Sequence, residues 1–396
     1  MKDTDLEWKE LDALNPEARQ NTLLLIEQFI RYHPDAVMDH DPEWLYAKCG
    51  KDKSVKIFVC FDSDGALIGY APFFVHPSAL SFELFGLSLC DYRIRRYCIT
   101  AYPLLAVNCL EPHVRLEDLF VMISRSLGKR DVVFGLGVQL ASSFGQLLGN
   151  NAELRKKYQI LPYGSSYQRR LILLPADFET YLKSLGYSTR YEMRRAQRLL
   201  EKNTDAAVSF RIFSRSDEVS ELLSLLEQVS VKTYQHNLLN LGINDNEDTR
   251  YILEFAARKG WLKSLILFCQ GSPVAFQHGF LYNDSFYLTH MGYDPAWAKW
   301  SVGTVAHAYF IRDLIESGVK TFDFLYGDSG SKARLSNLSR EEQNFYLVPR
   351  TFPLSAVASS LRSFNSIVDS IGEFIEKYGI KTRIRKFLRR HATTQK

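Results

Sequence analysis

A pattern that occurs twice restricts the fold of this 396-residue chain more than any other feature of its sequence. In the first half, the β-rich runs Val55 to Phe61 and Ala66 to Val75 flank the turn-forming Asp62-Ser63-Asp64-Gly65. In the second half, Leu262 to Cys269 and Val274 to Leu281 flank Gln270-Gly271-Ser272-Pro273. Each reads as a β-hairpin, because residues that favour extended backbone surround residues that tolerate a reversal. A helix follows in both halves. Leu116, Leu119, Phe120, Ile123 and Leu127 make a helical stripe that stops at Gly128, read as a C-terminal cap, ahead of GKRDVVFGLG. Thr304 to Ser317 stops at Gly318, ahead of GVKTFDFLYG. Hairpin, helix, glycine and strand recur at equal spacing, which predicts two copies of one α/β (α+β) unit.

The expected boundaries are 1–165, 166–350 and a helical basic tail, 351–396. Between Tyr163 and Arg170 a Gly-Ser-Ser step interrupts the pattern, and a new strand is expected at Leu171 to Leu174. The length independently favours two domains over one core. Apolar residues at 46% and charged residues at 24% describe a globular chain and exclude a disordered or fibrous one. Aromatics at 13% suit strand-rich cores and a carbohydrate-facing surface. The net charge is +4, yet the segment from Lys381 to Lys396 holds seven basic residues and no acid, leaving −3 for the rest. A near-neutral body argues against a broad nucleic-acid surface, and no DNA partner is expected. Ile384, Phe387 and Leu388 add an apolar face to the tail, so peripheral contact with an anionic membrane is a further expectation. Six scattered cysteines without CxxC pairing, a charged start and the lack of a long apolar run predict a reduced, cytoplasmic protein without structural zinc.

Other helices are read from caps and periodicity. Asn15 and Pro16 open one that runs to about Tyr32. Phe178 to Leu185 forms a short helix, Ser188 or Thr189 caps a longer one to about Lys202, and Asp217 to Tyr234 forms another.

Chemistry concentrates between Asp294 and Lys332. Asp294-Pro295 and then Ser301-Val302-Gly303-Thr304 make a glycine-containing turn at the start of a helix. Free backbone N–H groups and the positive end of the helix dipole suit an anion there. On the helix after Ser188, Arg190, Arg194, Arg198 and Lys202 share one face with Arg195 beside them, a ridge suited to phosphates or simply to water. His278 falls in phase with Val274, Phe276 and Phe280 and reads as a core histidine. His290 closes a strand where it opens into a loop, the better position for proton transfer. His307, one turn into the helix after Gly303, suits packing at least as well as catalysis. Small polar residues precede Lys332 and let the backbone approach a ligand. The absence of G-x-S-x-G, P-loop and HExxH motifs gives no support to hydrolase, NTPase or zincin chemistry.

Taken in order, the arginine-rich Tyr187 to Arg195 segment, the Val274 to Tyr293 meander and Tyr293-Asp294-Pro295 resemble the GNAT-type acyltransferase family typified by the cellulose-biosynthesis protein CelD. Ser301-Val302-Gly303, Phe322-Asp323-Phe324, Tyr326-Gly327 and Lys332 extend the resemblance, which covers about Leu174 to Ser336. That family is related to the FemAB aminoacyl transferases. Trp44 and the Gly69-Tyr70-Ala71-Pro72 strand look like the family's first, degenerate domain. The resemblance implies two tandem GNAT-like domains, each a twisted mixed sheet flanked by helices. It also implies transfer of an acyl group, acetyl in type, from acyl-CoA to an amine or hydroxyl of a cell-envelope polysaccharide precursor or related metabolite. Acetyl-CoA is then a co-substrate, and neither a tightly bound cofactor nor a metal is expected. Alternatives are a FemAB-like aminoacyl-tRNA-dependent transferase and a non-catalytic partner in polysaccharide synthesis. The family's usual Gln/Arg-x-x-Gly-x-Gly/Ala loop is reduced here to Gly303 with Ser301 beside it. The expected site comprises His290 and Tyr326 for proton transfer, and Arg190, Arg194, Ser301, Val302, Gly303 and Thr304 for the donor. Tyr234, Asp294 and Lys332 are expected to hold the acceptor.

Overall fold

The computed structural model describes residues 7–49, 53–84, 87–109, 111–203, 208–233 and 243–377. Among them, thirteen strands form one mixed sheet. The strands are β1 (Trp8–Glu10), β2 (Ser54–Phe61), β3 (Leu67–Leu84), β4 (Leu87–Ile99), β5 (Leu104–Leu105), β6 (Asp131–Gln139) and β7 (Tyr158–Leu173). They continue with β8 (Val208–Phe213), β9 (Leu262–Cys269), β10 (Ser272–Tyr282), β11 (Ser285–Tyr293), β12 (Thr321–Asp323) and β13 (Leu338–Pro349). Their spatial order is β1-β2-β3-β4-β6-β13-β7-β12-β11-β10-β9-β8, with β5 beside β3.

The repeated sequence pattern becomes a repeated topology. β2, β3 and β4 form an antiparallel meander, the helix Pro112–Ser126 crosses over, and β6 returns parallel to β4. β9, β10 and β11 do the same, the helix Val302–Glu316 crosses over, and β12 returns parallel to β11. The last strand of each half then leaves its own copy. β7 pairs antiparallel with β12 of the second half, β13 pairs antiparallel with β6 of the first, and the two pair with each other. Backbone groups that would otherwise form two exposed edges are thus satisfied at an internal seam.

Apolar faces follow this arrangement. Val302, Val305, Ala306, Phe310 and Leu314 of the second crossover helix are buried against Phe286 and Phe322. Leu116, Leu119, Phe120 and Ile123 occupy the corresponding position in the first half, in a core with Val133 and Phe144. Trp44 from the first half packs edge-on against Phe280 and Trp261 of the second, with ring centroids 5.0 and 6.0 Å apart. After β13 the helix Leu354–Lys377 returns to the first half and buries Leu354, Ala358 and Leu361 beside Ile57 and Val132.

Asn15 caps Pro16–Tyr32 as expected, accepting the Ala18 amide at 2.8 Å. Several expectations are corrected. Gly164-Ser165-Ser166 does not end a strand. β7 runs unbroken through these residues as a bulge, pairing Tyr163 with Asn344 and Tyr167 with Glu342, because β13 supplies partners on both sides. Gly318 takes the left-handed conformation (φ 77°) after its helix, whereas Gly128 does not and instead donates to Asp131 Oδ2. Neither Ser188 nor Thr189 caps the basic helix. It begins at Tyr187, and the Gly186 carbonyl accepts the Arg190 amide. The helix expected from Asp217 spans Val219–Ser230.

The closest backbone approach in the second copy lies at Gly279, where β10 meets β11. A Cβ there would fall 2.0 Å from the Tyr287 carbonyl oxygen and 2.7 Å from the Phe286 ring. A carbonyl inside a paired strand cannot retreat, so Gly279→Ala should cost about 3 kcal/mol, the upper end for overpacking. Urea unfolding measures this, and an unchanged midpoint would refute the close packing.

Candidate active site

β11 and β12 pair over only three residues, from Ser285/Thr321 to Tyr287/Asp323, and then part. Two local features separate them. Thr289 is an extra residue on β11, inserted between the His278–His290 and Gly279–Leu288 pairs. On the other side, the Asp323 carboxylate accepts the Leu325 amide at 2.8 Å and turns the chain out of the sheet. Leu325 (φ 55°) and Gly327 (φ 80°) complete that turn, with Tyr326 between them.

A cleft or cavity lies on each face of the sheet at this gap. On the face covered by Val302–Glu316, a cleft of about 500 Å³ is lined by Met291, Tyr293, Ser301 to Thr304 and His307. On the opposite face, a cavity of about 370 Å³ is lined by His278, Tyr287, His290, Arg169, Tyr326 and Glu342. Asp39, Trp44 and Gly137 of the first half close its far wall.

In the cleft, Ser301 enters the helix in the left-handed conformation (φ 52°) without a side-chain cap. Its amide donates to Ala298, and its carbonyl accepts the Thr304 amide at 2.9 Å. Of the four expected donor-binding residues at this helix start, therefore, Val302 and Gly303 are those whose amides find no acceptor among the described residues. Free amides at a helix start fit phosphate or another anion. A Cβ at Gly303 would lie 3.2 Å from the Tyr293 ring, so glycine keeps this entry open. The first half repeats the left-handed entry at Glu111 (φ 55°), but there Pro112 lacks an N–H and Glu111 adds a negative charge. His307 is a packing residue: its Nδ1 lies 2.9 Å from Gln277 Nε2, and burial lowers its pKa to about 4.

In the cavity, the two histidine rings stack at 6.1 Å. Burial and the neighbouring His290 lower the His278 pKa to about 3, and Ser264 Oγ holds its Nδ1 at 2.7 Å. Burial also lowers the pKa of His290, which keeps its ring neutral near pH 7. Burial raises that of the Tyr326 hydroxyl, which stays protonated. The Tyr326 ring packs against Gly137 (φ 62°), where a Cβ would meet the ring at 2.7 Å, and Arg169 sits 5.4 Å above it.

The structure places the remaining expected residues apart from these cavities. Arg190 and Arg194 line a separate surface groove with Tyr187, Tyr191, Arg198 and Lys202. Arg194 pairs with Glu179, and Arg190 lies over the Tyr187 ring. Asp294 caps the short helix after it, accepting the Ala296 amide, and pairs with Lys232 at 2.9 Å. Lys332 Nζ donates to the carbonyls of Phe324, Tyr326 and Gly327 at 2.9, 2.8 and 3.2 Å, so its protons bind the Tyr326 loop. Tyr234 and the segment 381–396 lie outside the described residues.

Sequence reasoning missed the charged wall of the cavity. Arg169 Nε donates to both Asp323 oxygens at 2.9 and 3.0 Å, and a terminal nitrogen donates to Oδ2 at 2.6 Å. Its other terminal nitrogen reaches Glu342 at 3.5 Å, and Tyr167 donates to Glu342 at 3.2 Å. Burial raises the Glu342 pKa against the pull of Arg169 and Arg340. Asp39 accepts from Lys48 at 2.9 Å and from Trp44 Nε1 at 3.0 Å. Burial pushes its pKa up, but Lys48 prevails and holds it below the usual carboxylate value. The available signal was polar and charged side chains at alternate positions within strand-like runs, Tyr167 and Arg169 on one side, Arg340 and Glu342 on the other.

Residues 187–333 match the acetyltransferase (GNAT) domain family. The chain thus carries a GNAT acetyltransferase domain and is an acyltransferase. Among solved structures, FemX is similar at 10% identity with a TM-score of 0.57, over 82% of this chain and 95% of that one, and the two share a fold. L-PGS from Bacillus licheniformis matches at 15% identity and a TM-score of 0.45, over 84% of this chain and 97% of that one. A tandem GNAT protein from the clavulanic acid biosynthesis pathway matches at 9% identity and 0.46, over 86% of this chain and 98% of that one. No curated protein matches the sequence. Among the described residues, no helix is long and apolar enough to cross a membrane.

Replacing Arg169 by Met leaves Asp323 and Glu342, only 2% exposed each, without their shared hydrogen-bonded cation. The expected loss is about 3–5 kcal/mol at pH 8. For a carboxyl whose folded pKa is raised, the penalty is full above that pKa and disappears as pH falls through it. The gap from wild type in urea melts should therefore narrow between pH 8 and pH 5. A constant gap would show that Glu342 does not carry it.

Proposed function

We propose that the chain transfers an acetyl-type acyl group from acyl-CoA, bound in the Gly303 cleft, to an amine or hydroxyl in the central cavity. The polysaccharide precursor or related metabolite implied by the sequence is the acceptor class in this reading. The observation that carries it is the placement of a cleft and a cavity on opposite faces where β11 and β12 part. A thioester arm entering from the helix side would meet the acceptor at the gap, which supplies proximity without a covalent enzyme intermediate. Val302 and Gly303 amides hold donor phosphate. Neutral His290 takes the proton from the acceptor, and Tyr326 returns one to the departing thiolate. Lys332 positions Tyr326 through its three backbone carbonyls. We further propose that the unit expected over residues 1–165, extended to the end of β7 at Leu173, and the unit that follows it to residue 350 are of common ancestry and joined by exchange of their final strands.

Thiol release from acetyl-CoA, measured against an acceptor panel, tests these roles. Gly303→Asp places a carboxylate beside the free amides and should raise the KM for acetyl-CoA about tenfold or more, a change equivalent to about 1.4 kcal/mol, within the range of charge effects at a helix end. Tyr326→Phe should lower kcat about 100-fold while donor KM holds. If both variants match wild type, the assignment fails.

A second reading, aminoacyl transfer from tRNA, draws on the arginine groove, where the exposed Tyr187 and Tyr191 rings stack at 6.5 Å among cations. Aromatic faces beside guanidiniums suit nucleic acid. Filter binding separates the readings: salt-sensitive tRNA binding lost in Arg190→Ala/Arg194→Ala supports the second, and acetyl-CoA turnover without tRNA supports the first.

A further inference from the structure

The cations facing the central cavity are not equally engaged. Arg169 is committed to Asp323 and Glu342, and Lys48 to Asp39. Arg340 differs. Its Nε lies 3.2 Å from Glu342 Oε1 but off the N–H direction, and the Nε makes no hydrogen bond. A terminal nitrogen stands 3.8 Å from Asp323 Oδ2, beyond hydrogen-bond reach. Among the described residues, no acceptor takes a hydrogen bond from this guanidinium. Its Nε is buried, but its terminal N–H groups remain available in a wall where the other charges are satisfied.

Its location gives that availability meaning. Arg340, Tyr102, Tyr287 and Val37 line both the 370 Å³ cavity and a neighbouring one of about 490 Å³ that continues past Asn283 and Ser285. Arg340 thus stands at the junction of the two spaces, with its side chain about one-third exposed. A planar guanidinium matches a carboxylate or phosphate with two parallel hydrogen bonds.

We propose that Arg340 binds an oxyanion, carboxylate or phosphate, on the acceptor, at the opposite end from the amine or hydroxyl that is acylated. The inference rests on reading the central cavity as the acceptor site, and it narrows the substrate to molecules that carry both groups. Glu342 is the competing anion on Arg340. Its raised pKa, caused by burial, eases its protonation when a second negative charge arrives, so the wall can stay neutral.

Isothermal titration of the full chain with two matched pairs tests this: 6-aminohexanoate against 6-aminohexanamide, and phosphoethanolamine against ethanolamine. In at least one pair the anion should bind about tenfold tighter or better. The favoured pair identifies the oxyanion as carboxylate or phosphate. Arg340→Met should remove the preference, and Glu342→Gln should strengthen anion binding about threefold or more by removing the competitor. Opposite shifts in the two variants are the signature, since general destabilisation would move both the same way. The proposal is overturned if neither anion is preferred, if the preference survives Arg340→Met, or if Glu342→Gln weakens it. Acetyl-CoA titrated in the same series reports separately on the donor cleft, so failure there implicates the acyltransfer assignment rather than the Arg340 subsite.

Discussion

The structure depends on one buried guanidinium at the seam between the two halves. Arg169 on β7 holds Asp323 from β12 through both carboxylate oxygens and reaches Glu342 on β13. A strand from the first half and two from the end of the second, 154 and 173 residues further along the chain, therefore share one charge cluster. Burying these ions costs several kcal/mol each, which is offset only when geometry and hydrogen bonding are close to complete. Asp323 meets that condition with the guanidinium on one side and the Leu325 amide on the other. The same carboxylate thus ends β12 and begins the turn that carries Tyr326. The opening between β11 and β12 follows from that turn and from the extra residue at Thr289.

Two copies of one topology need not carry two sites, and the helix entries explain why. Both crossover helices are entered through a left-handed residue, Glu111 in the first half and Ser301 in the second. A phosphate at the second would meet the amides of Val302 and Gly303. At the first it would meet a proline without an N–H and a carboxylate of like charge. The first copy contributes instead to the wall of the shared cavity, through Asp39, Trp44 and Gly137. Gly137 matters because its positive φ and missing Cβ admit the Tyr326 ring, Tyr167 and Glu342 to one small space. One half supplies the cleft, and both halves enclose the central cavity.

Much of the scaffold was legible because local chemistry and tertiary structure agree. The hairpin turns at Gly65 and Gly271 both use positive φ, and Asn15 with Pro16 opens a helix as such a pair should. Legibility failed where a distant strand intervened. Gly164-Ser165-Ser166 carries the composition of a break, yet β13 pairs on either side of it and keeps β7 continuous. It failed again for Lys332, whose setting among small polar residues resembles a ligand loop but whose amine is drawn to three carbonyls of its own turn. His290 and Tyr326 line one cavity, although His290 does not close its strand as expected but lies within β11, paired with His278, while Arg190 and Arg194 belong to a different surface.

By itself the sequence determined the repeated hairpin–helix–strand order and the free amides of a glycine-containing helix start, because both arise from residues within a few positions of one another. Only the tertiary structure decided that the last strand of each half would cross into the other, and that Arg169, Asp323, Arg340 and Glu342 would face one cavity. No local rule brings together side chains separated by 154 or 173 residues. That juxtaposition follows from strand register, which is set by burying the apolar faces of both halves at once.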